Sequence, residues 1–468
     1  MSTPQTTAPD GSAQPVAAGK HPFSGASFGS WMVLAFLLLI GLYMYADRLI
    51  ITLQTDAVKA ALDLTDFQIG LVQGLGVALF AAFAGYPIAS LADRFDGRLI
   101  LAVSIVVWGL AVAGCGLSQN FTQLFLASAF VGAGEAALLP ITYATIPMLF
   151  TGRSRLTANA LLTVSGRLAS GGVIVLSGLL VENVGGLQPV LPAQVAEFEN
   201  WRLALLVLAL PAPVLAIASL MVRLRLKPQD VTLPLPLQQP AGVMPVRPFL
   251  QTHLRTSLGP VYIGVALLVF GASAFGAFLP VVAMRQMGAS PSEVGAGVGS
   301  ATMVSALIAI LLLLGGGGVF MRRLGPAYPV RLLMMTSLLT GIVSLGYLVV
   351  ATPQQMYVLM GVTFLFISLG TMAFPTALQD LMPAPLRTRL MAIAIMINIV
   401  FSALAPAVVG LASDMLGQSG LALLRATVIV GVTAMILSAA LLAFAGRSYL
   451  ATSALARSIE HAEEPRDE

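Results

Sequence analysis

Apolar residues lie along this chain in long uninterrupted runs, and polar residues are gathered in the short segments between them. A run of about 20 apolar residues crosses the hydrocarbon core of a bilayer as an α-helix. Membrane strands are only about 10 residues long and alternate in polarity, so the pattern favours helices. We predict twelve spans, at 31–53, 67–91, 99–117, 121–150, 156–181, 201–222, 262–284, 294–320, 330–351, 357–379, 390–412 and 421–445.

Composition supports this prediction. Hydrophobic residues make up 57% of the chain and charged residues 9%, against about 25% charged in soluble domains. A soluble fold could not bury so much apolar surface. The predicted fold class is an all-α integral membrane protein with twelve transmembrane helices in two pseudo-symmetric six-helix bundles.

A short repeat indicates how the spans are grouped. The pattern RxRLxAxA occurs at 153–160 and again at 387–394, before the fifth and the eleventh span. Two parallel six-helix repeats are the layout of alternating-access transporters. We therefore expect two six-helix bundles, an N-terminal one at 29–222 and a C-terminal one at 259–446, joined by a cytoplasmic linker at 223–258. A disordered cytoplasmic N-terminal tail, 1–28, precedes them, and a cytoplasmic C-terminal tail, 447–468, follows them.

Basic residues indicate the orientation. With both termini inside, 18 Lys and Arg fall in cytoplasmic segments and 4 in outer segments, as the positive-inside rule requires. The net charge of +4 is therefore a topology signal and gives no reason to expect nucleic acid binding. The single cysteine, Cys115, can form no internal disulfide.

Four ionisable residues fall inside the predicted spans: Asp47, Arg48, Glu135 and Arg167. Each costs at least about 2.5–3.5 kcal/mol at the bilayer centre unless it is paired or hydrated. Asp47 and Arg48 point about 100° apart on a helix, so each is expected to pair with another span. We expect Glu135 to pair with Arg167. One interpretation is a set of ion pairs that fixes helix packing; the other is a carboxylate that exchanges its partner for a proton.

Histidine cannot supply such a proton site, because His21, His253 and His461 all fall in the tails or the linker. Proton coupling would therefore use Asp47 or Glu135. Sodium coupling is less well supported, since it requires several oxygen ligands near an acid or an unwound backbone. No metal or other cofactor is predicted.

The segment 91–98, LADRFDGR, resembles the cytoplasmic signature GxLaDrxGrr of the major facilitator superfamily. Asp93, Arg94 and Arg98 match it, whereas Ala89 and Asp96 stand where glycines are expected. The resemblance implies a charge-relay latch at the cytoplasmic side.

Within that superfamily the chain is most similar to the Spinster-like branch. The similarity is carried by YADR at 45–48, FQIGL at 67–71, GAGEA at 132–136, NWR at 200–202 and PAVVGLASD at 406–414. It implies an alternating-access transporter, because animal members move sphingolipids and lysophospholipids and bacterial members are proton-linked. We accordingly expect a multi-pass protein of the bacterial inner membrane.

Two departures from the family pattern affect the mechanism. Ser128 stands where the branch usually has an arginine, seven residues before Glu135. The stretch 165–172 lacks the Gly-Pro pair of drug/proton antiporters. Antiport is thus not supported by that motif, and the direction of transport stays open.

A central cavity is expected between spans one, four, seven and ten. Its aromatic candidates are Tyr43, Tyr45, Tyr143, Tyr262, Phe270, Phe275, Phe364 and Phe374. So few charges suit an amphipathic or hydrophobic organic solute, carried by a monomer. The alternatives are a facilitator without ion coupling, a non-transporting sensor, and an intramembrane enzyme, for which the spans hold no nucleophile–base cluster.

Overall fold

The structure is a computed structural model. It describes residues 27–78, 80, 81, 83, 84, 88, 95–150, 152–190, 197–222, 253–382, 384–417 and 421–463. Most of the predicted N-terminal tail and most of the predicted linker lie outside these residues. So do Asp93 and Arg94 of the cytoplasmic signature, and the side chains of Tyr143 and Arg167.

The described chain is helical almost throughout, and we number its spans 1–12 in chain order. A short helix, Thr55–Leu62, connects spans 1 and 2. Spans 1–6 are Phe28–Met44 with Ala46–Leu53, Asp66–Leu71 continuing into a π-helical turn at Val72–Gly76, Gly97–Leu117, Phe121–Glu135 with Leu138–Leu149, Gly152–Asn183, and Asn200–Ala209 with Ala212–Met221. Spans 7–12 are Leu254–Leu258 with Gly259–Met287, Pro291–Leu324, Tyr328–Ser344, Pro353–Gln379, Ala384–Met415 and Ala422–Glu463.

Ten helices among the described residues are long and apolar enough to cross a membrane. They correspond to spans 1, 3 and 5–12. Span 4 is interrupted between Glu135 and Leu138, and span 2 is described only in part. The all-helical membrane architecture is therefore confirmed, and the ten helices are consistent with the twelve predicted.

The two halves of the chain pack against each other along spans 5 and 8 and along spans 2 and 11. Glycine makes both contacts close. A Cβ on Gly70 of span 2 would lie 2.3 Å from the carbonyl oxygen of Pro406 in span 11. A Cβ on Gly178 of span 5 would lie 2.4 Å from the carbonyl oxygen of Pro291 in span 8. Any larger residue would push the halves apart at these points.

The structure changes two predicted boundaries. Span 7 begins its helical turn at Leu254, inside the segment assigned to the linker. Span 12 continues as one helix to Glu463, through most of the segment assigned to the C-terminal tail. This extension is held by packing, because Tyr449 is fully buried and its hydroxyl donates to Asp380 at 2.8 Å. Hydropathy ends at the membrane surface, whereas the helix continues because it has a protein surface to pack on.

Candidate functional site

A cavity of about 700 Å³ lies between the two halves of the protein. Its walls come from spans 1, 4, 5, 7, 8 and 10, so spans 5 and 8 join the four spans predicted to line it. Most lining side chains are apolar. The lining residues are Leu37, Leu38, Gly41, Leu42, Met44, Tyr45, Arg48, Leu49, Glu135, Leu138, Thr142, Leu162, Ile174, Ala272, Gly276, Val298, Thr302, Ser305, Ala306, Phe364, Ile367 and Ser368.

An ion pair between Arg48 of span 1 and Glu135 of span 4 forms the polar part of this cavity. The Arg48 guanidinium also lies 5.8 Å from the centroid of the Tyr45 ring. Nε of Arg48 and Oε1 of Glu135 have no hydrogen-bond partner among the described residues. The pair therefore retains one unused donor and one unused acceptor beside the cavity.

Arg48 and Glu135 each lie beside a local break in their helix. Span 1 is interrupted at Tyr45, and Arg48 lies in the first turn after the break. Glu135 is the last residue of the first segment of span 4. Two glycines press this segment against its neighbours: a Cβ on Gly132 would lie 2.0 Å from the carbonyl oxygen of Val77, and one on Gly134 2.7 Å from Trp108. Span 4 is thus fixed against spans 2 and 3 where it presents Glu135.

Asp47 occupies a different environment from that of Arg48. Its side chain is buried, with 2% of its surface exposed, and it is not among the lining residues of the cavity. Its Oδ1 has no hydrogen-bond partner in the part of the chain that is described. Its closeness to Arg48 along the chain therefore does not make it the partner of that arginine.

Ser128 is also buried. Its hydroxyl donates to the carbonyl of Leu124 at 2.9 Å and lies 3.8 Å from the thiol of Cys115. Position 128 is therefore filled by a hydroxyl whose hydrogen bond is satisfied within its own helix.

The structure pairs Glu135 with Arg48, and the expected pairing of Glu135 with Arg167 stays a prediction. Sequence spacing could not predict this partner, since it depends on the breaks in spans 1 and 4. The side chain of Arg167 lies outside the described residues, as does that of Tyr143.

The aromatic candidates divide into two groups. Tyr45 and Phe364 line the cavity. Tyr43 instead donates its hydroxyl to the carbonyl of Leu208 and packs edge-on against Trp108, with ring centroids 5.0 Å apart.

The other four described candidates also pack within the helices. Tyr262 is buried and donates to the carbonyl of Leu390 at 3.0 Å. Phe275 is fully buried beside Tyr347, Phe270 packs on the core cluster that contains Phe275, and Phe374 packs on the core of the C-terminal half. None of the four is among the described residues that line the cavity in this conformation, because their side chains pack against neighbouring helices.

Of the cytoplasmic signature, Arg98 is described. Its guanidinium pairs with Asp96 at 2.6 Å, and Asp96 also caps span 3 by accepting from the Arg98 amide at 3.0 Å. The latch through Asp93 and Arg94 stays a prediction.

A second cluster of charges lies at the end of the molecule where spans 2 and 8 begin, and sequence reasoning treated its members only as loop charges. Asp66, the first residue of span 2, accepts from Lys59, from Ser413 at 2.7 Å and from Arg285 at 3.3 Å. Burial by itself raises the pKa of Asp66, but these donors outweigh it and hold the pKa below its ordinary value. Arg285 also pairs with Asp56 at 2.5 Å.

No group of three or more His, Cys, Asp or Glu that could hold a metal is found in the described part of the chain. The arrangement instead defines a class: a multi-pass membrane transporter built from two helical halves around a central cavity. The chain belongs to the Major Facilitator Superfamily, whose family model matches residues 31–406. It is therefore a transporter and not an enzyme.

Two relatives show how far the sequence similarity extends along the chain. An MFS-type efflux pump of Mycolicibacterium smegmatis is 28% identical over 392 residues, which cover 83% of this chain and 85% of that protein. A probable sphingolipid transporter of Arabidopsis thaliana, spinster homolog 1, is 33% identical over 85 residues, or 18% of this chain and 17% of that protein.

A solved structure of a bacterial homolog to the human lysosomal transporter Spinster, inward-facing and unoccupied, matches with a TM-score of 0.75 at 20% identity. The match covers 93% of this chain and 99% of that chain. At this identity it establishes the fold. Together with the shorter sequence match, it supports the similarity to the Spinster-like branch.

Proposed function

We propose that this protein is a secondary active transporter that moves a small amphipathic or hydrophobic organic solute by alternating access, coupled to protons. The observation that carries the proposal is the composition of the central cavity. Among its described lining residues, Arg48 and Glu135 carry the only charges, and they are paired with each other. A cavity of about 700 Å³ falls in the range of sites for small organic ligands, about 300–1,000 Å³.

The substrate class follows from the two kinds of surface in the cavity. Leucine side chains of span 1, such as Leu38 and Leu42, and Phe364 of span 10 offer an apolar wall. The exposed parts of the Arg48–Glu135 pair, 36% and 18% of the two side chains, offer one polar position. An amphipathic molecule satisfies both surfaces. The relatives described as an efflux pump and as a probable sphingolipid transporter support this class, and the former favours export.

Glu135 is the proposed coupling group. It is the one carboxylate among the described residues of the cavity wall, and it accepts a hydrogen bond from Arg48. When the helices move and Arg48 withdraws, the desolvated carboxylate takes up a proton. Asp47, buried close by in the chain, is the second candidate. The guanidinium of Arg48, no longer paired with Glu135, can then bind the substrate or water.

We further propose that both termini are cytoplasmic, that the protein is a monomer of the bacterial inner membrane, and that the structure represents a state open towards the cytoplasm. The basic residues of the linker and tails support this orientation. The resemblance to an inward-facing structure supports the state.

The test uses purified protein in proteoliposomes with an imposed pH gradient. The probes are a fluorescent lysophosphatidylcholine and the lipophilic cation ethidium. Gradient-driven movement of either probe, lost in Glu135→Gln and retained in the exposed-acid control Asp63→Asn, is the expected result. Equal movement with and without the gradient would identify a facilitator. Folded protein that moves neither probe would favour the sensor.

A further inference from the structure

Carboxylates of each half cap a helix of the other half. Asp414, at the end of span 11, accepts from the backbone amides of Asp66 at 3.1 Å and Phe67 at 2.9 Å, the first residues of span 2. Glu182, at the end of span 5, accepts from the backbone amide of Ser292 at 3.2 Å, near the start of span 8. Spans 2 and 8 are the second helices of the two halves, and spans 5 and 11 are the fifth. The two caps are therefore related by the pseudo-symmetry of the fold.

Both helices already have an N-cap residue of their own, but it binds only some of the backbone amides at the start of the helix. Thr65 and Gln68 form a capping box at span 2, and Ser290 and Glu293 form one at span 8. A capping box satisfies the N-cap and N3 amides and leaves N1 and N2 without an acceptor. These are the amides that Asp414 and Glu182 reach. The carboxylates also lie at the positive ends of the helix dipoles.

The two caps differ in strength for a reason visible in the sequence. The first residue of span 8 is Pro291, which has no amide hydrogen, so Glu182 has one donor to bind where Asp414 has two. Only the cap on span 2 adjoins further bonds between the halves that the structure describes. Ser413 and Arg285, both from the C-terminal half, donate to the Asp66 side chain.

We propose that Asp414 and Glu182 are the gate at this end of the transporter, a pair of helix caps that form when this end closes and break when it opens. The proposal rests on the alternating-access function proposed above. Both carboxylates are exposed, so water replaces their bonds when the halves separate. The two caps can therefore form and break reversibly, and the stronger of them is the cap on span 2.

The test measures the separation of the halves at this end, without reference to transport. In a Cys115→Ala background, spin labels are attached at Leu117→Cys and Val349→Cys. These positions are 52% and 83% exposed, in the N-terminal and C-terminal halves respectively. Pulsed electron spin resonance in nanodiscs gives the distance distribution. Asp414→Asn and Glu182→Gln are compared with Asp63→Asn, an exposed acid at the same end that binds neither helix start.

We expect Asp414→Asn to raise the ratio of the long-distance to the short-distance population about fivefold, and Glu182→Gln to raise it by a smaller factor. Asp63→Asn should match the parent protein. Should Asp414→Asn not yield folded protein, Glu182→Gln decides the question, because Glu182 is exposed and makes a single bond across the halves. Folded variants with the parental distance distribution would overturn the gate. A shift in distance without any probe transport would support the gate and refute the proposed function.

Discussion

Arg48 donates to the carboxylate of Glu135 across 87 residues of sequence, and each of the two residues lies beside an interruption in its own helix. The pair lies in the cavity wall with side-chain exposures of 36% and 18%. It is thus neither a surface ion pair nor a fully buried one. Partial hydration lowers the cost of separating it, which suits the exchange of partners proposed above.

Removal of both members of this pair should cost less stability than the sum of the two single removals. Arg48→Ala and Glu135→Ala each leave a partly buried charge unpaired, and we expect a loss of about 1–3 kcal/mol from each. The double variant should lose less than the sum, with a coupling energy of about 1–2 kcal/mol. The cycle is measured from the free energies of unfolding of the four proteins in detergent, with denaturant or heat used to unfold them. Strictly additive losses would show that the two side chains do not interact.

Gly132 should tolerate no side chain. An added Cβ would lie 2.0 Å from the Val77 carbonyl oxygen, so Gly132→Ala must displace span 4 from span 2. We expect a loss of about 1–3 kcal/mol. The matched control is Gly446→Ala in span 12, where no atom lies within 4 Å of the new Cβ and alanine should stabilise the helix by about 0.5–1 kcal/mol. Equal unfolding temperatures for the two variants would contradict the observed packing.

The bonds that Asp66 makes across the two halves should not themselves respond to pH across the physiological range. Burial raises the pKa of Asp66, but bonds from Lys59, Arg285 and Ser413 outweigh this effect and lower the pKa. These bonds to the ionised carboxylate are therefore complete at and above the ordinary pKa of an aspartate and are lost only as the pH falls through the lower pKa of the folded protein. In a Glu135→Gln background, in which the proposed coupling group cannot take up a proton, the label pair at Leu117 and Val349 should report one distance distribution between about pH 5 and pH 8.

Asp66→Asn provides the comparison for that experiment. It removes the charge that binds Arg285 and Lys59, so the distance distribution should shift towards larger separations at every pH tested. If the Glu135→Gln protein opened between pH 8 and pH 5, another group with a higher pKa would control this end.

The helical extension after span 12 should contribute to stability through Tyr449. Its hydroxyl donates to Asp380 at 2.8 Å and its ring is fully buried. Tyr449→Phe should cost about 1 kcal/mol by loss of the hydrogen bond, and Tyr449→Ala about 3–5 kcal/mol by loss of the packed ring as well.

Leu450→Ala is the control for this prediction, because Leu450 is adjacent on the helix and 39% exposed. It should change the free energy of unfolding by less than either tyrosine variant. If all three variants had the same free energy of unfolding, the helical extension would not be packed on the rest of the protein and would be a tail, as hydropathy alone suggested.

The resemblance of its motifs to a known family indicated the class of transporter, and the sequence by itself determined the membrane-spanning helices and the identity of the charged residues within the spans. These are properties of local composition, because a helix in lipid satisfies its own backbone and needs only a sufficient apolar run. Tertiary structure decided which of these residues meet. It paired Glu135 with Arg48, directed Tyr262 and Phe275 into helix contacts, and brought Asp414 to the start of span 2. Such partners depend on where each helix breaks and how it is rotated, and both are set by contacts with other helices, which the order of residues along one helix does not contain.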